Sequence, residues 1–137
     1  VGLRRRNNED AFAVVPELGL CVLADGMGGH TAGQVASRLA VEAVEAAIRM
    51  LEEGPASLSE KLRYAFSAAN RSVHGTSKER PDCSGMGTTL VVLLADGQRA
   101  ALAHVGDTPS WASCCADARS RPTAPVSIRI ATCSPGR

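Results

Sequence analysis

Aromatic side chains are nearly missing from this chain of 137 residues, which has two Phe, one Tyr and one Trp. Its core must therefore be built from Val, Leu and Ala. An excess of one charge is missing as well. Fifteen basic and fourteen acidic residues leave a formal net charge of +1, which gives no electrostatic case for nucleic acid or for an anionic membrane surface. No apolar run approaches the ~20 residues needed to span a bilayer, and no signal-peptide layout opens the chain. The first residue is Val1 and not Met, so a natural start is expected upstream. The five cysteines, Cys21, Cys83, Cys114, Cys115 and Cys133, match no zinc or redox spacing, and their number is odd. Cys21 lies inside an apolar run and reads as a small core residue. Cysteine usage of this kind suits a reducing, cytoplasmic setting.

What is present is a globular composition, 45% apolar, with enough chain for one domain. Residues 11–15 and 20–24 are short apolar stretches joined by P-E-L-G, the pattern of adjacent antiparallel strands. A glycine-rich loop follows. From residue 32 to 53 the period changes. Val35, Leu39, Val41, Val44, Ala47, Ile48 and Leu51 recur at steps of three and four, as on an amphipathic helix. Gly54 and Pro55 end it. Ser57 or Ser59 can cap a second helix over 58–77, with Leu62, Ala65, Phe66, Ala69 and Val73 as its apolar face. Residues 88–95 and 99–105 read as strands around the turn signal Asp96-Gly97. The order strand, strand, helix, helix, strand, strand predicts an α+β fold packed in layers.

Four stretches can carry chemistry. R-R-R-N-N-E-D (4–10) sets adjacent carboxylates after basic residues. Paired carboxylates suit a divalent cation, and a nearby arginine can grip a phosphate with two hydrogen bonds. Alone, such a stretch is more often a solvated charge run. D-G-M-G-G (25–29) reads as a strand ending on a carboxylate, or as a simple turn with glycines for positive φ. M-G-T-T-L (86–90) reads as a strand entry whose threonines serve β propensity. H-V-G-D (104–107) reads as a strand end with a structural histidine. Taken together, Asp10, Asp25 and Asp107 lie at or beside expected strand ends. Carboxylates gathered at one sheet edge repel, and a cation offsets that repulsion. Oxygen-only donors favour Mg²⁺ or Mn²⁺ over zinc.

These stretches resemble the metal-dependent protein phosphatases, the protein phosphatase 2C-like serine/threonine phosphatases, in their bacterial form. The resemblance is carried by G-L-R-R-R-N-N-E-D-A-F (2–12), V-L-A-D-G-M-G-G-H (22–30), G-M-G-T-T-L (85–90) and A-H-V-G-D (103–107), in family order, over residues 2–107. It implies a four-layered β-sandwich flanked by antiparallel helix pairs, of which this chain holds the N-terminal part. It implies two Mg²⁺ or Mn²⁺ ions, with a third in bacterial members. Asp25 would bridge two metals, Gly26 would lend its carbonyl, and Glu9 and Asp10 would hold metals or their waters. Arg5 would bind substrate phosphate, so Arg5 and Asp10 are the expected catalytic residues. Asp107 would serve the third metal. Met27 stands where animal members often carry a general-acid histidine, and no acid is assigned there. The implied mechanism is direct attack of a metal-activated water on phosphorus. The implied partners are phosphorylated proteins, the substrates of a serine/threonine kinase, met by a monomer with no nucleic acid and no membrane.

The resemblance stops near residue 107. The later S-D-G-type and D-N-type motifs, which supply aspartates to the first metal, are lacking, and Asp117 is the one later acid. Residues 1–107 are thus expected to be a partial phosphatase domain and 108–137 a divergent tail, out of frame or disordered. Read from the third base of the Pro109 codon, the codons possible for Pro109 through Ala118 can spell V-L-G-V-L-L-R-G-R, similar to the family's next strand. The parent is expected to be a phosphatase and this chain to be weak or inactive. The alternative is a non-catalytic remnant that binds a phosphopeptide or a regulator.

Overall fold

The computed structural model describes residues 8–106 and 129–133. Strands β1 (Asp10–Val15) and β2 (Leu20–Met27) are followed by helices α1 (His30–Met50) and α2 (Leu58–Glu79). Strands β3 (Gly87–Ala95), β4 (Ala100–Val105) and β5 (Arg129–Cys133) complete the described chain. The five strands form one antiparallel sheet in the order β1-β2-β3-β4-β5. The helix pair is inserted between β2 and β3 and lies on one face of the sheet. This is the expected α+β arrangement. β5 adds a strand within the stretch read as a divergent tail.

Local chemistry explains the boundaries. Between β1 and β2, Pro16–Leu18 makes one 3₁₀ turn and Gly19 takes a left-handed φ of 61°. A Cβ there would meet the Ala95 carbonyl oxygen, and the Gly19 carbonyl accepts the Ala95 N–H at 2.9 Å. Helix α2 opens on a capping box. The Ser57 hydroxyl accepts the Glu60 N–H at 3.3 Å, and the Glu60 carboxylate accepts the Ser57 N–H at 2.9 Å. Ser57, and not Ser59, is therefore the cap. Helix α1 has no side-chain cap, and Gly29 precedes it at φ 81°.

Alternation divides the sheet into two faces. Leu20, Val22 and Ala24 of β2, Leu90, Val92 and Leu94 of β3, and Ala101 and Ala103 of β4 are buried under the helices. From α1 and α2 the core receives Val44, Ile48, Leu62 and Phe66. The other face holds Phe12 (75% exposed), Val14 (62%), Leu23 (52%) and Leu93 (41%). Cys21 belongs to that open face and is exposed, which corrects its reading as a core residue. One register step decides the matter, because Cys21 lies between the inward Leu20 and Val22.

A candidate metal centre at the β1–β2 end

Asp25 was read as the tip of a strand. It lies inside β2, which runs on through Gly26 to Met27. The extension is possible because Gly26 and Met27 keep partners on β3, namely Thr88 and Gly87. Across the other side, Asp25 is paired in register with Asp10. The neighbouring pair is hydrogen-bonded, with the Gly26 N–H donating to the Glu9 carbonyl at 3.1 Å. Hydrogen-bonded and non-hydrogen-bonded pairs alternate along an antiparallel ladder, so Asp10 and Asp25 form a non-hydrogen-bonded pair. In such pairs the Cα atoms approach to about 4.5 Å and the side chains stand closest. Two exposed carboxylates facing each other across a strand pair destabilise it. A hard divalent cation reverses the sign of that interaction.

Glu9 stands beside this pair. A Cβ built on Gly33, in the first turn of α1, would lie 2.6 Å from the Glu9 carboxylate oxygen. A Cβ on Gly26 would lie 1.9 Å from the Gly33 carbonyl oxygen. The glycines thus let β2 and α1 touch backbone to backbone, and the space beside Gly33 is taken by the Glu9 carboxylate. Gly33 was not singled out in the sequence, although a glycine inside a helical pattern is itself a signal of close packing.

Thr88 was also missed. Its hydroxyl lies 3.0 Å from the Asp25 carbonyl, and that of Thr89 lies 3.5 Å from the same oxygen. The threonines of M-G-T-T-L do more than favour a strand. The histidine of H-V-G-D, His104, is buried in β4, as a structural histidine should be. Arg5 and Asp107 lie outside the described residues.

The structure therefore sets Asp10 opposite Asp25, with the backbones of Glu9 and Gly26 bonded beside them and the Glu9 carboxylate turned to Gly33, and carboxylate oxygens are donors of the kind that suit Mg²⁺ or Mn²⁺. Donors are few. Among the described residues no group of three or more His, Cys, Asp or Glu side chains is arranged to hold a metal ion. No described helix is long and apolar enough to cross a membrane.

An antiparallel sheet with a helix hairpin on one face, and facing aspartates at the mouth of its first two strands, is the framework of an incomplete α+β phosphatase fold. The chain belongs to the protein phosphatase 2C family, which it matches over residues 4–113. It is 44% identical over 112 residues to the serine/threonine protein phosphatase PstP of Mycobacterium tuberculosis, a match covering 80% of this chain and 21% of that protein. It is 34% identical over 118 residues to the serine/threonine phosphatase Stp of Listeria monocytogenes, covering 80% of this chain and 46% of that one. The solved catalytic domain of PstP in complex with two manganese ions superposes with a TM-score of 0.64 at 44% identity. That superposition covers 77% of this chain and 44% of the solved one. The chain thus spans less than half the length of these curated relatives.

Proposed function

We propose that this chain carries one half of the metal centre of a protein serine/threonine phosphatase that hydrolyses phosphoserine and phosphothreonine. The observation that supports the reading best is the cross-strand pair Asp10 and Asp25, with Gly26 bonded to Glu9 beside it. Asp25 would bridge two Mg²⁺ or Mn²⁺ ions, Gly26 would offer its carbonyl, and Glu9 and Asp10 would hold metals or their waters. Arg5 would grip the substrate phosphate, and Asp107 would serve a third ion. Such cations lower the pKa of a bound water and neutralise phosphoryl oxygens. Within this chain, Asp10 and Asp25 supply the charge, and the Gly26–Gly33 contact holds β2 against α1 behind them.

The substrates would be phosphorylated proteins, the products of a serine/threonine kinase. The absence of the S-D-G-type and D-N-type motifs from the sequence would leave the 137-residue chain short of donors, with little or no turnover. The same shortage favours, as a second reading, a non-catalytic fragment that binds a phosphopeptide or a regulator. Hydrolysis of p-nitrophenyl phosphate with and without Mn²⁺ tests the proposal. Feeble Mn²⁺-dependent turnover that D25N abolishes is expected. Robust turnover would refute the half-site reading, and metal-independent turnover would refute the metal centre.

A further inference from the structure

We propose that the open face of the sheet is a self-association surface, on which two copies of this chain pack face to face about a two-fold axis. The inference is independent of the cation reading. Register and alternation set the side chains of that face in rows across β1, β2 and β3. Phe12 pairs with Leu23, and Leu23 with Val91. Val14 pairs with Cys21, and Cys21 with Leu93. Val91 is half-buried, and the other five are exposed. The next row holds Asp10, Asp25 and Thr89 and bounds the patch at one end. β4 bounds it at the side, where Leu102 is half-buried and His104 is buried. Six adjacent side chains without a charge make a contiguous apolar patch of about 500 Å², a size that is often functional on a single chain.

Shape, area and charge select a second copy as the occupant. Stacked sheets lie about 10 Å apart with their strands within about 30° of each other, so a twisted sheet is well covered by one of like twist. The opposite face of this sheet is already taken by the helices, so the open face of another copy is the matching surface. Two such patches remove about 1,000 Å² from water together, the low end for a specific interface, which makes the association weak and reversible. A net charge of +1 gives the copies little long-range repulsion to overcome. Charge also fixes the orientation. With the strands of both copies running the same way, four aspartates would meet at one end, and like charges set face to face disfavour that arrangement. With the strands reversed, the two Asp10–Asp25 pairs lie at opposite ends of the sandwich. The two-fold axis then crosses β2 near Val22, and Cys21 of each copy stands over Leu23 of the other.

Sedimentation equilibrium of the 137-residue chain over the micromolar range tests the inference, with L23E, F12S and M50E beside it. Leu23 and Phe12 are exposed on the open face, and Met50 is exposed at the end of α1. None of the three lies in the helix-covered core, and circular dichroism checks that each variant folds. The parent should show a monomer–dimer equilibrium. L23E brings a charge into the interface twice and should weaken association by at least about tenfold. F12S should weaken it in the same direction, and M50E should leave it within about twofold. The Cys21 thiol gives a separate readout. Its modification rate, taken as the difference from C21S, should fall as the parent is concentrated and stay constant in L23E. A parent that is monomeric throughout would overturn the inference and leave the face to a different polypeptide. A dimer that survives both L23E and F12S would overturn it too, as would an M50E as disruptive as L23E. Association beyond two copies with Cys21 equally reactive would point to strand edges and not to this face, and would overturn it as well.

Discussion

Substituting Gly26 by alanine tests the contact on which the site depends. The added Cβ would lie 1.9 Å from the Gly33 carbonyl oxygen, 2.5 Å from its carbon and 2.9 Å from the Glu9 carbonyl oxygen. All three are backbone atoms, so no side chain can swing aside. An ordinary carbon–oxygen approach is about 3.3 Å, so β2 and α1 must part by more than about 1 Å. Overpacking of that kind costs about 1–3 kcal/mol. Parting also stretches the Gly26 N–H bond to Glu9, and a buried donor left without its acceptor costs about 1–3 kcal/mol more. The expected loss is therefore about 2–6 kcal/mol, a large share of the ~5–15 kcal/mol typical of a folded domain. Urea unfolding followed by circular dichroism measures it. G75A is the control. Gly75 lies in α2 with nothing within 4 Å of a built Cβ, so alanine should stabilise by about 0.5–1 kcal/mol. The reasoning fails if G26A costs less than about 1 kcal/mol, or if both substitutions act in the same direction.

Three further outcomes are expected. D10N should lower the unfolding midpoint relative to the parent in Mn²⁺ by more than it does in EDTA; the absence of that difference counts against a shared cation. S57A should cost about 1 kcal/mol by breaking the capping box, with increased exchange of the Glu60 amide as its local signature. The Asp96 carboxyl is held below its ordinary value, first by the Arg99 N–H and then by the Gln98 N–H. A lowered folded pKa means that its stabilisation is present above the unfolded value and is lost as pH falls through the folded one. Acid titration by NMR should therefore show the Gln98 and Arg99 amides shifting together with Asp96, below the usual aspartate range; a midpoint at or above that range refutes the turn assignment.

Much of this architecture was legible because it is written in local periods. The alternation of β2, the three-and-four spacing of α1, the turn at Asp96-Gly97 and the serine before α2 each depend on neighbours within a few residues. The aspartate pair was legible only as residue types. That Asp10 faces Asp25 is a matter of register, set by the length of the Pro16–Gly19 turn and by which strand face is buried. The same register exposes Cys21. Gly33 and Thr88 escaped notice because their partners, Gly26 and Asp25, are distant in sequence for Thr88 and belong to another element for Gly33. Asp25 was placed at a strand tip because glycines usually interrupt strands. Gly26 instead continues β2, since the backbone of α1 occupies the place where its side chain would be.

Asp10 and Phe12 alternate onto one face of β1, as do Asp25 and Leu23 on β2. The carboxylates therefore crown the open apolar face and not the face sealed by the helices. Any polypeptide layer that dries Phe12, Val14, Leu23 and Leu93 must also arrive at the rim where the aspartates stand. Closing the second half of the core and walling the cation site would then be a single event, and the strength of cation binding would report whether the sheet has found its cover.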